Sequence, residues 1–166
     1  MIRKADPADI GAIMDMAEVA FRHTYSEILS PAQMEYMMGW MYSRTSLEKQ
    51  MTMDGHIFFI EDGKGYVSFR YDNRSSDGRD VYHLEKLYVL PSCQGQGLGL
   101  QLFNRVVEEA VKLSGPRPVR IELNVNRNNP AVKFYEHIGM YKSRQGDFPI
   151  GDGFYMNDYI MAYEPK

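Results

Sequence analysis

The stretch 84-LEKLYVLPSCQGQGLGLQLF-103 decides how this chain folds. Its first seven residues form an apolar run of strand-forming side chains. From Leu98 onward apolar residues recur at helical spacing, so the stretch reads as strand, sharp junction, helix. Gly95, Gly97 and Gly99 fall at the junction, where a nucleotide phosphate, a coenzyme pyrophosphate or a plain tight turn would each explain them. A P-loop needs a lysine after its last glycine, and none follows here. A dinucleotide fingerprint beginning at Gly95 would need glycine where Leu100 stands; one beginning at Gly97 would need it at Leu102. What remains is Gln94-x-x-Gly97-x-Gly99 opening a helix, where free N–H groups and the helix dipole favour an anion.

The rest of the chain organises around that junction. "IRKA" is a short strand, and Asp6-Pro7 caps an amphipathic helix whose apolar positions run Ile10, Ile13, Met14, Ala17, Ala20 and Phe21. Ser30-Pro31 opens a second, Met-rich helix through Met41, and "TSLEKQM" reads as a short helical piece. "HIFFIED" and "KGYVSFRYD" form a hairpin around Asp62-Gly63, and "VYHLEKLYVL" is the next strand. The helix after the glycines runs from about Gly97 to Leu113, with Leu102, Phe103, Val106, Val107, Ala110 and Leu113 on one face. "PVRIELNV" is a strand, Asn129-Pro130 opens a helix that Gly139 closes, and "YKSRQGDF" pairs with the final strand "GFYMNDYIMAYE". The expected order is β, α, α, β, β, β, α, β, α, β, β, one α+β domain over residues 1–166 with a mixed sheet and helices on both faces.

Composition narrows the partners. A formal net charge of −3 with 25% charged residues argues against nucleic acid, which needs clustered Lys and Arg, and leaves a cationic small substrate open. The single cysteine, Cys93, excludes an internal disulfide and fits a reducing, cytoplasmic setting. The opening "MIRKADPADI" has no apolar signal-peptide core, and no apolar run approaches the ~20 residues that span a bilayer, so no membrane partner is expected. The four histidines lack metal-ligand spacing, so no metal site is expected.

The residues Gln94, Gly97 and Gly99 resemble the acyl-CoA-binding signature Gln/Arg-x-x-Gly-x-Gly/Ala of the Gcn5-related N-acetyltransferase (GNAT) family. The downstream motif Asn-x-x-Ala-x-x-x-Tyr-x-x-x-Gly of that family is met by Asn128, Ala131, Tyr135 and Gly139. "FYEHIGM" departs from its usual ending only in Met140 for Phe. The opening "AFRHTYSEILS" and the closing "GFYMNDYIM" resemble the bacterial spermidine/spermine branch. The resemblance implies the family's fold, a mixed, mostly antiparallel sheet of about seven strands with about four helices on both faces. It implies acetyl-CoA as co-substrate, direct transfer to an amine, and a homodimer. The amine is expected to be small and cationic, a polyamine first. A protein N-terminus or lysine, an amino acid, an aminoglycoside, or no acceptor at all in a coenzyme-binding regulatory module stay open.

Site residues follow from the same resemblance. Backbone groups of Leu87, Tyr88 and Val89 would hold the pantetheine arm and an oxyanion. Gln94, Gly95, Gln96, Gly97, Leu98 and Gly99 would cradle the pyrophosphate, and Asn128 would bond the coenzyme. Glu85 is the candidate general base, because strand alternation puts it on one face with Leu87 and Val89. The alternative is that it pairs with a neighbouring Lys or Arg. Tyr135 is the candidate general acid toward the sulfur, or a core aromatic. Phe21, Tyr25, Glu27 and Tyr36, together with Glu85, would line the acceptor site, with Glu35, Asp152, Tyr155 and Asp158 behind them. Cys93 has no histidine–carboxylate set for a nucleophile's role, and His83 and His137 read as structural or solvent-facing.

Overall fold

The computed structural model describes residues 1–166. The seven strands are β1 (Arg3–Lys4), β2 (Ile57–Glu61), β3 (Gly65–Arg74), β4 (Asp80–Val89), β5 (Val119–Asn126), β6 (Tyr141–Gly151) and β7 (Phe154–Tyr163). They form one sheet in the order β1-β2-β3-β4-β5-β7-β6. Every neighbouring pair is antiparallel except β4 and β5. Five helices accompany it: α1 (Ile10–Tyr25), α2 (Pro31–Tyr42), α3 (Arg44–Thr52), α4 (Leu98–Ser114) and α5 (Ala131–His137). The segment "TSLEKQM" is thus part of a full helix, capped by the Ser43 hydroxyl, which accepts from the Ser46 amide at 3.2 Å.

Strand alternation sorts the sheet's side chains onto two faces. Phe59, Val67 and Phe69 join Leu102, Phe103, Val106 and Ala110 of α4 in one core, and Val132 and Tyr135 of α5 extend it. Phe58, Ile60 and Tyr66 face the other way, into a core with Ile10, Ile13, Phe21, Met34, Met37, Met38 and Leu47 from α1, α2 and α3. Each large side chain sealed in this way stabilises the fold by ~2 kcal/mol. One buried residue breaks the apolar pattern. Lys86 is only 4% exposed, and its ammonium donates to Gln50 Oε1 at 2.8 Å beneath the rings of Tyr42 and Phe58.

Two details of β4 position the site. Pairing with β5 runs from Asp80–Val119 to Leu84–Leu123 and then stops, so the two parallel strands diverge. On the other edge the register with β3 passes from Phe69–Leu84 directly to Ser68–Lys86, leaving Glu85 as the extra residue of a β-bulge. The bulge corrects the alternation expected for Glu85. Tyr82 and Leu84 face the α4 core before it, and Leu87 and Val89 face that core after it, so the inward parity switches at Glu85.

Candidate active site

A cleft of about 850 Å³ opens where β4 and β5 part. Its walls come from β4 (Leu84, Glu85, Leu87, Tyr88, Val89), β5 (Leu123, Asn124, Val125), the junction before α4, the start of α5, and the segment His23–Ile28 at the end of α1.

The junction forms as a phosphate-binding turn should. Pro91–Cys93 make one short helical turn, Gly97 sits at the left-handed φ of 80° as N-cap of α4, and no side chain caps the helix. No protein carbonyl or side chain accepts from the successive amides of Gly95 to Leu100, and the first turn of α4 contains no acidic residue. A Cβ built on Gly95 or Gly97 would meet nothing within 4 Å, so open space lies over these amides. An anionic pyrophosphate fits this arrangement. Gly99 serves a second purpose, since a Cβ there would lie 3.2 Å from Phe134 Cζ, where α4 and α5 pack.

Of the expected coenzyme residues, Leu87, Tyr88, Val89, Gln94, Gly95, Gly97, Gly99, Asn128 and Tyr135 all line the cleft. Gln96 is exposed outside its lining, and the Leu98 side chain turns into the α4 core. Tyr135 is 6% exposed, and burial pushes its hydroxyl well above the ordinary tyrosine range, so it stays a proton donor at physiological pH. On the acceptor side Tyr25 and Glu27 border the cleft, and the Tyr25 hydroxyl accepts from Asn129 Nδ2 at 3.3 Å.

Phe21 and Tyr36 depart from expectation. Phe21 is 1% exposed inside the α1–α3 core, its ring tilted against Tyr25 and edge-on to Tyr42, because it falls on the buried stripe of α1. The Tyr36 hydroxyl donates to the Ile150 carbonyl at 2.7 Å, tying α2 to the β6–β7 hairpin instead of facing the cleft. Glu35 is neutralised by Arg22. Asp152 and Tyr155 lie exposed on the hairpin, whereas Asp158 is 1% exposed beside a small cavity next to Tyr25 and Asn124. Cys93 has only the Ser92 hydroxyl within reach, at 3.7 Å, and His137 is exposed.

Glu85 borders the cleft but is not free. Its Oε1 accepts from Arg70 Nε at 2.7 Å and lies 3.0 Å from His83 Nδ1, so the arginine pairing named as the alternative is present, and His83 is not solvent-facing. Burial alone would raise the Glu85 carboxyl, but the hydrogen bond and charge of His83 and the charge of Arg70 outweigh it and hold it at about 2. Asn124, Asn129 and Phe134 also line the cleft and were not singled out from sequence. Asn129 carried a signal in its Asn-Pro pair, whereas Asn124 inside "IELNV" carried none.

A sheet parted between two parallel strands, with a bare-amide turn at one end of the gap and a buried tyrosine and a carboxylate along it, defines a coenzyme-dependent acyltransferase. Residues 14–140 match the sequence profile of the acetyltransferase (GNAT) family, and the chain belongs to that family. It is an acetyl-CoA-dependent N-acetyltransferase. It is 28% identical over 146 residues to the L-methionine sulfoximine/L-methionine sulfone acetyltransferase of Salmonella typhimurium, covering 87% of this chain and 81% of that one. Among solved structures it resembles the PaiA N-acetyltransferase of Thermoplasma acidophilum in complex with coenzyme A. That match has a TM-score of 0.75 and 21% identity over 99% of this chain and 98% of the other. The spermidine/spermine N-acetyltransferase SpeG of Vibrio cholerae matches with a TM-score of 0.62 and 19% identity, over 99% and 91%.

Proposed function

We propose that residues 1–166 form a single acetyltransferase domain that moves acetyl from acetyl-CoA directly to the primary amine of a small cationic molecule, a polyamine first. The observation that carries this is the charge of the acceptor side. Glu27 borders the cleft and Asp158 lies behind Asn124; Glu85, although paired with Arg70 and His83, is a third carboxylate on this side, and no lysine or arginine side chain belongs to the lining. Such a wall attracts ammonium groups and repels carboxylates.

Bound acetyl-CoA would supply an activated thioester carbonyl. The amides from Gly95 to Leu100 would hold its pyrophosphate, and backbone groups of Leu87 and Val89, with Asn128, its arm. An amide near Leu87 or Tyr88 would stabilise the oxyanion. Glu85, directly or through a water, would receive the proton that frees the amine's lone pair. The N–C bond then forms, the C–S bond breaks, and Tyr135 donates its hydroxyl proton to the sulfur. Its single cysteine supports a cytoplasmic location, and the family resemblance supports a homodimer.

A second reading takes an amino acid as acceptor. It is favoured by the Salmonella relative's coverage and by Met37 and Met156, which line the small cavity beside Tyr25. Thiol release from acetyl-CoA, measured with spermidine, spermine, methionine sulfone and N-terminal peptides, decides between them. Turnover with spermidine supports the first reading and turnover with methionine sulfone alone the second. Tight acetyl-CoA binding without release on any amine would overturn both.

A further inference from the structure

The Glu85 carboxylate belongs to a chain of hydrogen bonds that crosses four strands. From Arg70 on β3 it passes to Glu85 and His83 on β4. His83 Nε2 then lies 3.0 Å from Asn124 Oδ1 on β5, and Asn124 Nδ2 donates to Asp158 Oδ2 on β7 at 3.2 Å. The Asp158 carboxylate accepts, which turns the Asn124 amide so that its carbonyl oxygen faces the ring. A carbonyl oxygen also only accepts, so Nε2 carries a hydrogen. Nδ1 then faces Glu85 Oε1 across 3.0 Å, a gap that is favourable with a proton in it and unfavourable without one.

We infer that His83 is a positioning residue of the transfer, a proton store behind Glu85 that determines when Glu85 can accept a proton from the amine. The inference rests on the acetyl-transfer reading. With Nδ1 already protonated, Glu85 is a carboxylate satisfied by two cations and has little affinity for a proton. With Nδ1 empty, the pair takes one proton readily. The ammonium N–H bond then breaks, its electron pair stays on nitrogen to attack the thioester carbonyl, and the proton passes through Glu85 to Nδ1. The second proton lost by nitrogen restores the hydroxyl of Tyr135 after that hydroxyl has protonated the sulfur, and His83 returns its proton to solvent. One proton is released per acetyl transferred.

The surroundings support the store. Burial pulls His83 toward its neutral form, but the hydrogen bond and charge of Glu85 and the hydrogen bond to Asn124 outweigh it. The ring therefore holds its second proton to a pH above the ordinary 6.5. The other charged groups facing the pair are Arg70 from β3, Asp158 from β7 and Lys86 beside Glu85 on β4, with Glu122 in register beside His83 on β5; His56 just before β2 also faces it, and burial holds that ring at about 4, so it is neutral.

Nitrogen-15 NMR of histidine-labelled protein without coenzyme, titrated from about pH 5 to about pH 9, tests the store directly. The expected result is a His83 ring that loses its second proton above the ordinary value, and that does so below it in E85Q. Titration of His83 at or below 6.5, or indifference to E85Q, overturns the inference. In the thiol-release assay, the acid limb of kcat should move to lower pH in His83→Gln, and the plateau should fall at least ~10-fold with KM for acetyl-CoA retained. A loss equal at every pH, with the limb unmoved, is the mark of a merely structural histidine and also overturns it. Absence of turnover on every amine refutes the acetyl-transfer reading instead, and the ring titration still decides whether the store exists.

Discussion

Replacing Lys86 by Met should stabilise the protein at neutral pH and destabilise it in alkali. The ammonium is 4% exposed, has one hydrogen-bond partner in Gln50, and is held by burial at about 8 against an ordinary 10.5. That difference corresponds to ~3 kcal/mol at ~1.4 kcal/mol per pH unit. Because the folded value lies below the unfolded one, the sign is a cost. It is fully present below pH 8, where both states are charged, shrinks as pH rises from 8 to 10.5, and is absent above. Met removes it while keeping similar volume, but leaves Gln50 Oε1 without a donor, a loss of ~1–2 kcal/mol. The net is a gain of ~1–2 kcal/mol at pH 7, or ~2–8 °C in Tm for a chain of this size. Near pH 10.5 only the loss remains, so the two melting curves should cross between pH 8 and 10.5. The double variant K86M/Q50L removes the Gln50 oxygen but also the amide that donates to the Met41 carbonyl at 3.0 Å, so it should gain no more than K86M at neutral pH and show a similar crossing in alkali. A difference in Tm between wild type and K86M that stays constant from pH 7 to pH 10 would refute the reasoning.

Four further outcomes follow from the cleft. Glu85 is held near 2 in the folded state against an ordinary 4.5, so its contribution of up to ~3 kcal/mol is complete above pH 4.5 and lost as pH falls through 2. The Tm deficit of E85Q should therefore be largest at neutral pH and shrink steadily below pH 4. Tyr135→Phe should lower kcat ~100-fold or more while changing acetyl-CoA affinity little, read by thiol release and calorimetry; equal losses in both would assign the ring to packing alone. Gly99→Val should cost ~1–3 kcal/mol and weaken acetyl-CoA binding, because its Cβ would press on Phe134 from 3.2 Å. Gly97→Ala meets no neighbour and should cost only the ~1–2 kcal/mol of a left-handed φ.

What could be read in the sequence was local. Gln94, Gly97 and Gly99 announced the bare-amide turn because a helix start and its phosphate chemistry occupy consecutive residues. Asn128, Ala131, Tyr135 and Gly139 did the same for the second wall, since helical spacing alone brings Ala131 and Tyr135 to one side. The order of elements along the chain was legible from alternation and helical spacing, and the pairing of β2 with β3 from Asp62-Gly63. The position of Glu85 was not, because a bulge depends on the register of β3 against β4 and leaves no mark in either strand alone. The partners of Glu85 come from Arg70, fifteen residues away, and from His83, whose other nitrogen meets Asn124, forty-one residues away. Phe21 misled because helical periodicity says which stripe is apolar without saying whether core or cleft receives it.

The divergence of β4 and β5 also divides the sheet. Beyond Leu84–Leu123 the sheet is two smaller sheets, β1 to β4 and β5 to β7, meeting along five register pairs. Past those pairs lies an open seam, and the two halves are held together there through the core under α4, which takes side chains from both. A ligand that bridges the seam acts as a splint. Amide hydrogen exchange along Leu87 to Val89 and Leu123 to Val125 should slow together on loading with coenzyme A, while Phe58 to Ile60, deep in the first half, should keep its rate.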